Sequence, residues 1–195
     1  MRKTDLAIAL PNAPLRQALA AAACGLALLA AGFGPAAAQE PPGGRRGTGL
    51  PVPRYVSLKT DRVNMREGPS KDHRTAWVFQ RAGLPVEIVA EYETWRRIRD
   101  SDGTEGWVLH SLLSGRRTAL VMPWAKDPAA VIPLVARPEE RGETLARLEP
   151  GVIAHVKDCT GAWCRVAVVS EGNRDIDGYV RQEKLWGVYP DERVE

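Results

Sequence analysis

An internal repeat constrains the fold of this chain more than any other feature of its sequence. The tetrapeptide WRRI at residues 95–98 recurs 68 positions later as WCRV, and the tripeptide GWV at residues 106–108 recurs 72 positions later as GYV. Each copy spans about 60 residues, and a unit of that size buries only about 60% of the surface that its unfolded chain exposes. We therefore expect two small copies of one fold that gain stability by packing against each other.

The apolar residues of both copies partly alternate with polar ones, which predicts β-strands rather than helices. Asp102-Gly103 is a strong hairpin signal between two of these runs. Residues 119–122 are expected to form a strand that joins the copies, whereas residues 139–148 have a helix-like pattern. The predicted strands cover residues 85–90, 95–99, 106–109, 152–157, 163–169 and 179–180. Short strands separated by turns predict an all-β fold, either a small barrel or a sandwich.

Residues 1–38 have the features of a secretory signal peptide. A basic start is followed by an apolar run to about residue 33 and then by three alanines, so cleavage is expected between Ala38 and Gln39. Two alternatives stay open, an uncleaved membrane anchor and a lipoprotein acylated on Cys24. We expect export across the inner membrane to the periplasm or cell envelope, with membrane contact only through the signal peptide before its cleavage.

The charge balance of the exported chain argues against a nucleic-acid partner. The full chain has 27 Lys and Arg residues against 24 Asp and Glu residues, a formal net charge of +3. Three of the basic residues and one acidic residue lie in residues 1–38, so the remainder carries a net charge of only +1. Nucleic-acid-binding proteins usually have a strong basic excess, which this chain lacks.

The first copy contains an ordered set of motifs. The octapeptide VNMREGPS at residues 63–70 opens the set, and Gly83, Trp95 and the tripeptide at residues 106–108 complete it. This set resembles the bacterial SH3-like domain family, whereas the second copy lacks the Asn, Arg and Gly of the opening motif. The resemblance implies a partly open barrel of five or six strands. It also implies a binding or targeting module, often for cell-wall peptides, that is not catalytic by itself.

These features together predict an all-β protein with two tandem SH3-like barrels. The expected order is a signal peptide at residues 1–38, a linker at residues 39–54, a first domain at residues 55–118 and a divergent second domain at residues 119–190. The linker is rich in proline and glycine, so it is expected to be flexible or partly extended.

The candidate ligand-binding residues all lie in the first copy. Aromatic rings can form a shallow groove that holds an extended peptide or a sugar. The candidates are Asn64, Arg66, Trp77, Tyr92, Trp95 and Trp107. One residue of the run at 77–79 must face outward if the run is a strand. A solvent-facing Trp77 would be a better ligand or partner candidate than Trp95 or Trp107. The basic cluster at residues 96–99 could help to bind a carboxylate-bearing peptide.

Structural roles remain an alternative for the same residues. Trp95 and Trp107 would suit the core of a small barrel, which needs large side chains to bury enough area. Asn64 and Arg66 would suit hydrogen bonds that tie a loop to the barrel. Gly68-Pro69 predicts a turn, because proline presets one φ angle and glycine tolerates a positive φ.

Cys159 and Cys164 are the two cysteines that remain after removal of the signal peptide, and they flank a predicted tight turn. An oxidising compartment favours a disulfide between them. His155 lies four residues before Cys159, so a zinc site or a Cys164–His155 nucleophile pair is an alternative. Zinc usually takes four ligands, and nothing nearby supplies a fourth, while a disulfide would silence the nucleophile. No catalytic residue, metal or cofactor is predicted.

The leading hypothesis is therefore a secreted, non-catalytic protein that binds peptidoglycan peptide or another envelope ligand. The alternative is a structural adaptor that recruits a periplasmic protein or peptide. A hydrolase subunit is the third hypothesis, against which stands the lack of a recognisable catalytic motif in the sequence. An open aromatic groove on the first copy favours ligand binding. A groove covered by the second copy or by residues 41–53 favours the adaptor.

Overall fold

The computed structural model describes residues 47–127, 129–170, 172 and 174–195. The predicted signal peptide at residues 1–38, its cleavage site and Cys24 lie outside these residues. The described residues belong to one compact unit and form strands with two short 3₁₀ helices, which confirms the all-β fold. Within this part of the chain no helix is long and apolar enough to cross a membrane.

The first sheet is a small, partly open barrel. Its elements are β1 (Arg54–Leu58), β2 (Val63–Arg66), β3 (Thr75–Phe79), β4 (Pro85–Tyr92), β5 (Trp95–Arg99), β6 (Glu105–Leu109), the 3₁₀ helix η1 (His110–Leu112) and β7 (Leu113–Ser114). Neighbouring strands pair in the order β3-β2-β6-β5-β4-β1-β7, and each pair is antiparallel. The barrel is open because its outer strands β3 and β7 do not pair with each other within the described residues.

The core of the first barrel follows from the alternation of its strands. Val63 and Met65 are fully buried, whereas Asn64 between them is exposed. The core residues are Leu58, Val63, Met65, Phe79, Val86, Ile88, Ile98 and Val108. Residues that alternate with these lie on the outer face of the sheet, where they are available for a binding site.

The second sheet repeats the first. Its elements are β8 (Thr118–Val121), β9 (Ile132–Val135), β10 (Thr144–Leu148), β11 (Ile153–Thr160), β12 (Trp163–Val169), β13 (Asp175–Arg181), the 3₁₀ helix η2 (Gln182–Lys184), β14 (Leu185–Trp186) and β15 (Arg193–Val194). The pairing order β10-β9-β13-β12-β11-β8-β14 matches the order of the first sheet strand by strand, and β15 adds to β11. The predicted joining strand is β8, which belongs to the second sheet.

The helix-like pattern at residues 139–148 is wrong as a helix prediction. The second half of this segment is strand β10, in which Leu148 pairs with Ile132 of β9 and is buried. Pairing with a neighbouring strand and burial of a leucine outweigh the local helical tendency, which is a weak determinant by itself.

The described end of the predicted linker is docked on the first barrel rather than free. The backbone N–H of Thr48 donates to the Glu91 carboxylate at 2.5 Å, and the Arg54 guanidinium donates to the same carboxylate at 2.5 Å. Arg96 completes the cluster, with its Nε 3.1 Å from Glu91 Oε1. Burial alone would raise the pKa of Glu91, but the hydrogen bonds from Arg54 and Thr48 and the charge of Arg96 lower it to about 2.

The two barrels contact each other through an aromatic cluster. The ring of Tyr55 lies 5.2 Å from that of Trp186 and 4.7 Å from that of Tyr189, between ring centroids. The Tyr189 hydroxyl donates to Glu87 of the first barrel at 2.9 Å. Burial, with the charge of Glu87, raises the pKa of Tyr55 to about 12. The expected packing of one copy against the other is therefore present.

Cys159 and Cys164 form the predicted disulfide, at paired positions of the β11–β12 hairpin. Replacing both with alanine is expected to lower the free energy of unfolding by about 2 kcal/mol, because the closed loop is short. Urea denaturation followed by tryptophan fluorescence measures the change. Reducing agent should shift the midpoint of the original protein and leave that of the double variant unchanged. Equal midpoints for the two proteins under oxidising conditions would contradict the prediction.

Candidate functional site

A cavity of about 240 Å³ on the outer face of the first barrel brings together three of the six predicted ligand-binding residues. Its lining residues are Arg62, Asn64, Arg66, Lys71, Trp95, Leu109 and Leu112. They come from strands β2, β5 and β6, from helix η1 and from the loops before and after β2. None of these lining residues belongs to the second barrel or to the docked segment at residues 47–53.

Strand alternation places these side chains on one face. Ile98 of β5 and Val108 of β6 point into the core, so Trp95 and Leu109 point to the opposite face, where they pair across the two strands. Trp95 is only 7% exposed, yet it lines the cavity rather than packing in the core cluster. The prediction of a core role for Trp95 is thus right about its burial and wrong about its side of the sheet.

The cavity is strongly basic. Arg62, Arg66 and Lys71 each bring a positive charge, and none of the described residues that line the cavity is acidic. The Nη1 atom of Arg66 donates to the backbone carbonyl of His73 at 2.6 Å, which holds the guanidinium and confirms the predicted hydrogen bond from Arg66 to the loop. Three cations around a buried indole can bind an anionic group that carries an apolar portion.

The loop beside the cavity is built on a close contact at Gly68. A Cβ atom at this position would lie 2.3 Å from Nε2 of His73, so only glycine lets the imidazole ring pack there. The sequence prediction of a turn at Gly68-Pro69 was based partly on a positive φ, which Gly68 does not adopt. An ion pair at 2.5 Å between Arg74 and Glu67 also ties the two ends of the loop together.

The other three candidates lie outside the cavity. Tyr92 is exposed, and its ring packs edge-on against the half-buried Trp107 with 6.5 Å between the ring centroids. Trp107 also pairs with Arg66 across β2 and β6, so this aromatic pair adjoins the basic cavity. Trp77 is 57% exposed on the outer strand β3. It is the most exposed residue of its run, although its pairing with the buried Met65 places it on the core side of the sheet.

The basic cluster at residues 96–99 is not free to bind a carboxylate. Arg96 pairs with Glu91, Arg97 pairs with Glu105 at 2.9 Å, and Arg99 pairs with both Glu105 and Glu87. The hypothesis that this cluster binds a peptide carboxylate is therefore not supported. The cavity, by contrast, carries the positive charges of Arg62, Arg66 and Lys71.

The second barrel has a cavity of about 300 Å³ at the corresponding position. Its tryptophan, Trp163, matches Trp95 in the repeat. The guanidinium carbon of Arg181 lies 4.6 Å from the centre of the Trp163 ring, and Arg181 also pairs with Glu140. The two cavities thus share a tryptophan but differ in their charges.

Four lining residues of the first cavity are not among those predicted from the sequence. Arg62 lies two positions before Asn64 and directly before β2, so the alternation of this strand, continued by one residue, could have placed it on the same face. Leu109 and Leu112 follow the GWV motif and carry no signal that separates them from core residues. Lys71 lies in a loop, and its position depends on contacts between residues distant in sequence.

No described group of three or more His, Cys, Asp or Glu side chains could hold a metal ion. The sulfur atoms of Cys159 and Cys164 are joined in the disulfide. Neither is therefore free to ligate zinc, and Cys164 is not free to act as a nucleophile beside His155. The described residues that line the first cavity include no nucleophile paired with a general base.

The comparison with protein families agrees with the repeat. The model of the bacterial SH3 domain matches residues 59–115 and 129–187, more than half of the chain. A search of curated proteins finds no significant match. Two similar solved structures are NlpC1 and NlpC2 from Trichomonas vaginalis, each 12% identical, with TM-scores of 0.30 and 0.31. The matches cover 71% and 72% of this chain, which spans about half the length of those proteins, 47% and 49%.

Proposed function

Because the chain belongs to the bacterial SH3 domain family, we propose that it is a non-catalytic binding protein of the cell envelope. The first barrel binds an anionic peptide, such as the peptide part of peptidoglycan. The observation that carries this proposal is the cavity that places Arg62, Arg66 and Lys71 around the buried Trp95.

The geometry suits a carboxylate attached to a short apolar side chain. A guanidinium can donate two parallel hydrogen bonds to a carboxylate, and Arg66 is already held in place by its bond to His73. An ammonium group such as that of Lys71 adds charge without fixed geometry. Trp95 and Leu109 offer apolar surface to the remainder of the ligand.

Location in the periplasm is part of the proposal. It is supported by the signal peptide predicted at residues 1–38, with cleavage before Gln39. The disulfide between Cys159 and Cys164 is in keeping with an oxidising compartment. In this proposal the protein meets the membrane only during export.

Exposed Trp77 favours the second candidate function, an adaptor that recruits an envelope protein or peptide. Its strand β3 lies at one end of the sheet order, so its outer edge can accept another strand. The adaptor does not exclude the anionic site, because Trp77 lies outside the cavity. However, the described residues leave the cavity uncovered, and this favours ligand binding as the main function.

Co-sedimentation with intact peptidoglycan sacculi tests the main proposal. The chain from Gln39 onward should bind saturably, and binding should persist at moderate salt. The double variant Arg62→Glu/Lys71→Glu should bind about tenfold more weakly, because a carboxylate would meet two negative charges in place of two positive ones. Both residues are exposed, so the variant should fold normally.

The matched control is Lys59→Glu/Arg147→Glu, which changes the net charge equally at exposed positions outside the cavity. It should bind sacculi as tightly as the original protein. Equal losses for the two variants, or complete loss of binding at moderate salt, would show that attraction is unspecific. In that case the adaptor becomes the better proposal, and Trp77→Ala should then weaken capture of an envelope protein.

A further inference from the structure

The second barrel contains a cleft whose charges are opposite to those of the first cavity. The loops after β2 and β9 correspond at an offset of 69 residues. The backbone N–H of Glu67 donates to the carbonyl of Arg74, and 69 positions later that of Ala136 donates to the carbonyl of Glu143. In this register Lys71 corresponds to Glu140. The other two cations of the first cavity are also lost, because Val131 and Val135 stand where it has arginine.

The cleft is formed by two adjoining cavities that share Arg181 and Glu183. One is the cavity of about 300 Å³ beside Trp163. The other, of about 480 Å³, extends to the C-terminal segment and includes Asp191. The acidic residues that line the cleft are Glu140, Glu183 and Asp191, against the basic residues Arg181 and Lys184. Its formal charge is therefore −1, compared with +3 for the first cavity.

Arg181 occupies the cleft as a ligand would. Its guanidinium lies over the Trp163 ring at 4.6 Å and pairs with Glu140. The first barrel has Leu109 at the position of Arg181, so this arrangement is particular to the second barrel. Stacking on tryptophan and pairing with a carboxylate are the two interactions that recognise a guanidinium.

We propose that this cleft binds an arginine-bearing peptide segment of a partner protein, whose guanidinium replaces that of Arg181 between Trp163 and Glu140. Moving Arg181 away from Glu140 costs little free energy, because their side chains are 38% and 68% exposed and exposed ion pairs are weak. Both cavities have Arg181 in their lining, so a peptide bound in its place can extend along both. The intramolecular guanidinium thus competes with the ligand and sets its affinity.

Calorimetric titration with the peptide acetyl-Leu-Arg-Leu-amide tests this proposal on the chain from Gln39 onward. Arg181→Leu, which installs the residue of the first barrel, should tighten binding about tenfold, because the internal competitor is removed. Glu140→Lys, which installs the other first-barrel residue, should weaken it about tenfold. The same peptide with citrulline in place of arginine should bind poorly to every variant.

Four results would overturn the proposal: no binding to Arg181→Leu, no gain in that variant, equal binding of the citrulline peptide, or preference of the cleft for an acidic peptide. Arg181 and Glu140 lie at the surface, so neither substitution should prevent folding. The site is independent of the function proposed for the first barrel. Accordingly, the neutral variant Arg62→Gln/Lys71→Gln, which adds no carboxylate beside Trp95, should leave titration with the arginine peptide unchanged while it weakens binding to sacculi.

Discussion

Replacing Glu91 with glutamine is expected to lower the free energy of unfolding by about 3 kcal/mol. The side chains of Glu91 and Arg96 are 8% and 5% exposed, and Arg54 adds a second guanidinium to the same carboxylate. Glutamine keeps the shape of the side chain but leaves Arg96 buried without a counter-charge. A buried charge that has lost its partner is far more costly than the pair is stabilising.

Glu105→Gln is the matched control on the same barrel. Glu105 also joins two arginines, Arg97 and Arg99, at 2.9 and 2.8 Å. Those two arginines are about half exposed, so water can solvate them when the carboxylate is removed, and the loss should stay below about 1 kcal/mol. Urea denaturation of both variants measures the difference. Similar losses would mean that burial of Arg96 does not determine the effect.

The stability difference caused by Glu91→Gln should also depend on pH. The pKa of Glu91 is lowered in the folded protein from 4.5 to about 2, so its contribution is fully present above pH 4.5. It is lost as the pH falls towards about 2, because the folded protein must then take up the proton that the unfolded chain already holds. The original protein and the variant should therefore converge in stability at the acid end. A constant difference down to pH 2 would contradict the assigned pKa.

The Glu91 cluster illustrates what the sequence could not predict. Strands such as β5 and β6 were predictable because alternation of buried and exposed residues is encoded locally. The docking of Thr48 on Glu91 joins residues 43 positions apart, in a segment whose proline and glycine content predicts a linker. Strand β10 is a second case, since its pairing with β9 decides its structure against its local helical pattern.

The candidate site was predictable in its residues but not in its chemistry. Asn64, Arg66 and Trp95 came from motif positions, and the structure brings them to one cavity. Its basic character depends on Arg62 and Lys71, which no motif marked. Burial was a misleading guide for Trp95, because a tryptophan can be covered from the outer face of a sheet as well as from the core.

Gly187→Ala is expected to be the most disruptive conservative substitution at the junction of the barrels, with a loss of roughly 3–4 kcal/mol. Gly187 has a φ of +116°, which disfavours any side chain. A Cβ atom would also lie 2.5 Å from the carbonyl oxygen of Thr118 and 3.1 Å from Pro85 of the first barrel. The backbone of β8 cannot move away, because Thr118 is buried and paired with His155 of β11.

Gly151→Ala separates the cost of the backbone conformation from the cost of the overlap. Gly151 also has a positive φ, +78°, but a Cβ atom there would have nothing within 4 Å. Its substitution should cost about 1 kcal/mol, from conformation alone. The free energies of unfolding of the two variants, measured by urea denaturation, should therefore differ by at least about 2 kcal/mol.

The overlap at Gly187 involves both barrels, so Gly187→Ala should also loosen the contact of Tyr55 with Trp186. This loosening would be detected as faster amide exchange in β1 and β14. Equal losses of unfolding free energy for the two alanine variants would mean that the backbone at the junction can shift to accommodate the Cβ atom at Gly187.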